Sequence, residues 1–127
     1  MADDNVFFEK REHYVYLKVS GVRNSTAQLL EGTRVVYELS KKFNCCYVLC
    51  DFREIDFKLS MSEAFNLVRI YEIRFEDFKN IKIAGVVSPQ YFEIAGFWEK
   101  ISQNRGFENK AFIDVELAGN WLESLIN

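Results

Sequence analysis

The sequence predicts an α/β fold: a single domain built on one mostly parallel, mixed sheet, with an antiparallel N-terminal edge strand and about four helices. Three observations carry this. Short β-rich apolar runs alternate with stretches of helical period, which implies parallel strands joined by right-handed helical crossovers. Cys45-Cys46-Tyr47-Val48-Leu49-Cys50 is a continuous apolar run that stops at Asp51, the pattern of a strand buried on both faces. Two N-terminal runs, Val6 to Phe8 and Tyr14 to Val19, are separated by Lys10-Arg11-Glu12, a spacing that suits a hairpin.

The elements follow in order. Gly21 to Ser25 reads as a loop. Thr26 to Phe43 reads as a helix with Ser25 or Thr26 as its N-cap. Leu29, Val36, Leu39 and Phe43 share one face of it; Gly32 lies in that stripe, where it would allow close approach to the sheet. Asp51 to Leu59 reads as a polar loop. Ser60 and Glu63 form a capping box for a helix to Phe75, with Ala64, Val68, Tyr71 and Phe75 on one face. Ile81 to Val87 is a strand. Ser88-Pro89 opens a third helix, with Ser88 as N-cap and Pro89 at its first position, ending near Arg105-Gly106. Lys110 to Ile113 is a short strand. Asp114 caps a last helix that buries Ala118, Trp121, Leu122 and Leu125.

Composition bounds the rest. At 127 residues, 49% hydrophobic and 16% aromatic, the chain holds one core without needing disulfide or metal staples. The net charge is −3 and the basic residues are scattered, so the electrostatic footprint of a nucleic-acid binder is missing. No apolar run reaches the length of a membrane span. Met1 to Lys10 carries two aspartates and no long apolar core, unlike a signal peptide, so a cytoplasmic location is expected. Cys45, Cys46 and Cys50 lack bridging and CxxC spacing and read as buried thiols in a reducing compartment. With His13 as the one histidine, a metal site lacks ligands, and no cofactor is implied.

The closing segment Phe112-Ile113-Asp114-Val115-Glu116-Leu117-Ala118-Gly119-Asn120-Trp121-Leu122 resembles the F-x-D-x-E-x-A-x-x-W-L ending of SpoIIAA-like proteins, a branch of the STAS-like superfamily. The strand Val48 to Asp51, followed by a connection and a helix, is also similar to the STAS pattern. The resemblance implies a non-catalytic regulatory or protein-interaction module. Anti-sigma-factor antagonists of that superfamily carry a phosphorylated Ser after an Asp in this region. Here Leu59-Ser60 stands near that place without the Asp, which argues against a kinase-switched role. The fold of such proteins also resembles the lipid-binding domain of CRAL-TRIO proteins, and fold alone does not carry function.

Three groups of candidate residues remain. For catalysis, His13 has no Ser or Cys partner in prospect and no Gly-rich phosphate loop occurs, so no enzyme is expected. For recognition, Asp51, Arg53, Asp56, Ser60 and Ser62 should gather with Ser20 to Asn24 and Ser88 to Gln90 beyond the strand carboxyl ends, where open parallel sheets bind ligands. Ser60 is fully accounted for as a helix cap, and is also the candidate phosphorylation site, since phosphate suits a helix N-terminus. For apolar contact, the third helix carries Tyr91, Phe92, Phe97 and Trp98 in an apolar arc of roughly 220°. Deep burial would account for such an arc. So would a protein partner, a homodimer seam or a pocket for an apolar ligand such as a lipid.

Overall fold

A computed structural model describes residues 5–75 and 77–126. The first four residues of the stretch read against a signal peptide therefore lie outside the described part. Five strands form one sheet: β1 (Asn5–Lys10), β2 (Val15–Arg23), β3 (Tyr47–Phe57), β4 (Lys82–Val86) and β5 (Asn109–Phe112). Four helices accompany them: α1 (Thr26–Phe43), α2 (Met61–Arg74), α3 (Phe92–Asn104) and α4 (Val115–Ser124). β1 runs antiparallel to β2 and the remaining pairs are parallel, as the sequence predicts.

The strands lie side by side in chain order, β1 to β5. Right-handed crossovers that all step the same way place their helices on the same face. Accordingly α1, α2 and α3 cover one face. There Val36 and Leu39 of α1 and Leu67, Val68 and Tyr71 of α2 meet Val15, Leu17, Val48, Cys50 and Ile83 of the sheet. α4 follows the last strand and takes the other face, with Ala118 and Leu122 against Tyr16, Leu49, Ala84 and Val86.

The caps behave as read. Ser25 accepts the amide of Gln28, Ser60 and Glu63 form the reciprocal capping box, and Asp114 Oδ1 accepts the amide of Leu117 at 3.0 Å. The closing motif is thereby explained physically. Its Asp caps α4, its Ala and Leu are fully buried, and Trp121 packs on Phe112 with ring centroids 5.8 Å apart. Trp121 and Leu125 are only partly buried, because the sheet beneath α4 is taken up by Ala118, Gly119 and Leu122.

Four expectations are corrected. β2 continues through Gly21 to Arg23, and β3 through Asp51 to Phe57, where loops were expected. The two extensions pair with each other, Gly21 with Ile55 and Arg23 with Phe57, and so satisfy their backbones. Gly21 has a φ of 131°, so it looks like a turn residue while serving an irregular strand. A bulge places Phe52 and Arg53 opposite Val19, and this turns Ile55 and Phe57 onto the helix-covered face. Cys45 and Cys46 precede β3 and are half-buried, so only Cys50 is the buried thiol expected. The segment after Ser88 begins as a 3-10 turn (Pro89–Tyr91), and the Ser88 hydroxyl donates to the Arg53 carbonyl at 2.9 Å instead of capping α3. Finally, a Cβ on Gly32 would meet nothing within 4 Å, so this glycine makes no close approach.

Ser60→Ala is expected to cost about 1 kcal/mol by removing the cap, whereas Ser60→Asp retains most of the stability because aspartate also caps. Urea denaturation of the two variants beside the wild type checks both.

Candidate functional site

The sequence-predicted residues separate onto different parts of the sheet. Successive residues of a strand point to opposite faces, so Asp51 and Arg53 share the α4 face while Cys50 and Phe52 face α1 to α3. The Asp51 side chain is 1% exposed. It accepts the Tyr16 hydroxyl at 2.6 Å and the Arg53 guanidinium at 2.9 and 2.8 Å, with the Arg53 amide at 3.2 Å. Burial by itself would raise the Asp51 carboxyl. The hydrogen bonds from Arg53 and Tyr16 outweigh it and hold the carboxyl below its usual range. Burial, followed by the bond to Asp51, pushes the Tyr16 hydroxyl up to about 12. This is a satisfied buried network, and its position within the sheet gives Asp51 no reach to a ligand.

Asp56 lies further along β3 and accepts the Tyr91 hydroxyl, with Lys58 Nζ at 3.7 Å. That bond to Asp56 raises the Tyr91 hydroxyl above its ordinary value. Tyr91 also packs edge-on to Phe57, at 5.3 Å between centroids. The amide of Lys58 donates to the Arg23 carbonyl at 2.8 Å. The three segments expected at the strand carboxyl ends therefore do meet, the first two as paired strand extensions and the third as the turn at Ser88, whose hydroxyl bonds to Arg53. Ser60 and Ser62 are exposed beside them, their hydroxyls 3.3 Å apart. The strand order never reverses, so the sheet has no switch-point crevice at this edge.

The open space lies instead under the helices. A mostly apolar cavity of about 340 Å³, partly open to the outside, lies between the sheet and α1, α2 and α3. That volume falls within the usual range for small-molecule sites, about 300–1,000 Å³. Leu17, Val19, Cys50 and Ile83 form its floor. Gly32, Leu67, Tyr71 and Trp98 form its walls, and Arg23, Phe57, Leu59 and Tyr91 lie toward the strand carboxyl ends. Gly32 explains part of the opening, since the side chain that would fill this place is missing. Gly85 does the reverse: a Cβ there would lie 3.5 Å from the Trp98 ring, so the glycine lets the indole rest on the sheet. Trp98 Nε1 donates to the Tyr71 hydroxyl at 2.9 Å. Burial pushes that hydroxyl up, against the lowering effect of its bonds with Trp98 and Thr33. Burial likewise pushes the Cys50 thiol up to about 12, which keeps it protonated and unreactive at neutral pH.

Of the apolar candidates, Tyr91 and Trp98 line the cavity. Phe92 is 45% exposed and Phe97 is half-buried, and neither lines it. The wide apolar arc is thus not deep burial: Ser102 is the one fully buried residue of α3. Arg23, Gly32, Phe52, Phe57 and Leu59 were not singled out as binding residues. Gly32 did carry a signal, a glycine inside an apolar helical stripe, but the same signal fits contact or emptiness. His13 is half-exposed, 3.8 Å from the Glu12 carboxylate. Among the described residues no cluster of three His, Cys, Asp or Glu could hold a metal ion, and no helix is long and apolar enough to cross a membrane.

The fold is SpoIIAA-like, in keeping with the resemblance of the closing segment. An anti-sigma factor antagonist from Mycobacterium paratuberculosis superposes with a TM-score of 0.63 at 12% identity, over 95% of each chain. An uncharacterised protein of the DUF3478 family with a SpoIIAA-like fold, from Shewanella loihica PV-4, superposes with a TM-score of 0.53 at 20% identity, over 94% of this chain and 93% of that one. No protein-family model and no curated protein matches the sequence.

Two outcomes follow from this geometry. The lowered Asp51 carboxyl contributes stability that is present above the usual value of 3.8 and lost as pH falls below it. The raised Tyr16 hydroxyl contributes stability that is full below 10.0 and lost as pH climbs toward about 12. Asp51→Asn is therefore expected to flatten the acid limb and to cost about 1.5–3 kcal/mol at neutral pH, read from denaturation midpoints across pH. Gly32→Ala, with open space around the new methyl, should stabilise the protein by about 0.5–1 kcal/mol through helix propensity, measured by thermal or urea unfolding.

Proposed function

We propose that this chain is a one-domain, non-catalytic regulatory module that acts in the cytoplasm by binding an apolar small molecule. The observation that carries this is the apolar cavity beneath α1, α2 and α3, with Gly32 leaving its wall open and Trp98 and Tyr91 among its lining. Empty apolar space of this size forfeits dispersion contacts that a ligand would restore. α3 lies shallowly over the cavity and its state of packing is the natural readout of occupancy. The titratable groups nearest the cavity do not assemble a nucleophile, a base and an orienting group, which supports binding over turnover.

A second reading, recognition of a protein partner or a second copy, is favoured by the strand-end edge. Arg53, Ser60, Ser62 and Phe92 are exposed at or beside that edge, and one structural neighbour is described as an anti-sigma factor antagonist. Ser60 would then be the modifiable position, with phosphate at the positive end of α2. The two readings are compatible, because Tyr91 belongs to both the cavity and the edge.

The test is titration with N-phenyl-1-naphthylamine, a neutral dye that brightens in apolar sites. The expected result is saturable one-site binding to the wild type and its loss in Gly32→Leu, whose side chain fills the cavity while the far-UV circular dichroism stays unchanged. Absence of saturable binding to the wild type, or undiminished binding to Gly32→Leu, overturns the cavity reading.

A further inference from the structure

We infer that two copies of this chain pair edge to edge through β1, antiparallel and in a register centred on Phe7, joining their two five-stranded sheets into one; this does not depend on the cavity reading. β1 is an outer strand, and the Arg11 amide beside it donates to the Tyr14 carbonyl at 2.8 Å. From there the register with β2 runs unbroken. Bonded and unbonded pairs alternate along an antiparallel ladder, so Asn5, Phe7 and Glu9 bond to β2, while Val6, Phe8 and Lys10 turn their N–H and C=O groups outward. No group among the described residues bonds to those of Val6 or Phe8. The other outer strand, β5, is handled differently. Glu108 and Phe112 bond to the β4 side, which leaves Asn109 and Ala111 facing outward. Side chains of α3 cap both: Glu99 accepts the Ala111 amide at 2.8 Å, and Gln103 Nε2 donates to the Asn109 carbonyl at 3.2 Å. The protein closes one edge of its sheet with its own helix and leaves the other open.

The side chains of β1 fit a second copy. Val6, Phe7 and Phe8 are 49%, 54% and 41% exposed, and the strand has no proline, glycine or bulge to blunt it. Phe7 packs on Tyr16 on the α4 face and Phe8 on Phe43 of α1, with ring centroids 6.3 and 6.1 Å apart, so both faces of the strand carry an aromatic ring at the edge. A twofold axis normal to the sheet sets each residue opposite one that points to the same face, so the axis must pass through a residue. Centred on Phe7, the pairing sets Phe7 against the partner's Phe7, Val6 against the partner's Phe8 and Glu9 against the partner's Asn5. The outward groups of Val6 and the partner's Phe8 then bond to each other on either side of the axis. Charge selects this register. Centred on Phe8, the pairing would set Glu9 against Phe7 and Lys10 against Val6; centred on Glu9, it would oppose like charges. Centred on Phe7, Glu9 keeps Arg11 at 3.6 Å and Lys10 keeps the carbonyls of Arg11 and Glu12, so neither charge is stranded at the seam.

Sedimentation of the wild type across micromolar concentrations should show a monomer–dimer equilibrium. Phe7→Lys sets like charges against each other at an exposed position. It should weaken the dimer by at least about tenfold and leave the far-UV circular dichroism unchanged. Opposite residues of an unbonded pair have Cα atoms about 4.5 Å apart, within disulfide reach. Phe7→Cys should therefore give a dimer bridged at position 7 under mild oxidation, and Phe8→Cys should give none at position 8; peptide mapping separates either bridge from the native Cys45, Cys46 and Cys50. A wild type that stays monomeric overturns the inference and leaves the edge to a strand of another protein. A dimer that Phe7→Lys leaves intact overturns it too, and returns the second copy to the strand-end edge. A bridge at position 8 in place of position 7 overturns the register. The cavity reading stands in each case.

Discussion

Each parallel strand of this sheet is laid down beside the one before it, always on the same side. A chain that keeps this direction and keeps right-handed crossovers must put α1, α2 and α3 on one face. Three helices then share a surface that four parallel strands and an antiparallel neighbour provide, and α4 takes the other face. The cavity is a consequence of that crowding on one side. Helices packed on a twisted sheet leave gaps that side chains must fill, and at Gly32 no side chain is present to do so.

The opposite face shows the other way of handling a partly covered sheet. There Asp51, Tyr16 and Arg53 form a closed set of hydrogen bonds on a surface that α4 does not fully reach. A buried carboxylate is tolerable only when its oxygens are satisfied, and here both are. The arginine reaches back over the sheet with half its side chain in water, so the pair keeps part of its hydration. This gives Asp51 a structural reason to be charged within β3. It also explains why the stretch read as a loop is a strand: the alternation of Phe52, Ile55 and Phe57 with charged residues is a period-2 pattern displaced by one bulge.

How legible the molecule was depends on the range of the interaction. The helices were readable from caps at Ser25, Ser60 and Asp114 and from apolar stripes, all of them properties of neighbouring residues. The parallel order was readable from alternation. The ends of β2 and β3 were not, because each extension exists only by pairing with the other, more than thirty residues away, and Gly21 looks locally like a turn. Of the candidate site, Tyr91 and Trp98 were found from the width of the aromatic arc. Arg23 and Phe57 were missed because both fell in segments read as loops.

The sequence by itself determined the order of strands and helices, the caps at Ser25, Ser60 and Asp114, and the likeness of the closing segment to SpoIIAA-like proteins. Those follow from dihedral preferences and from side-chain periods of 2 and 3.6, which consecutive residues set among themselves. Only the tertiary structure decided that Asp51 is an internal anchor, that Gly32 faces empty space, and that Arg23 lines the same apolar chamber as Trp98. A cavity is bounded by residues far apart in the chain and consists of what none of them fills, so no local pattern encodes it.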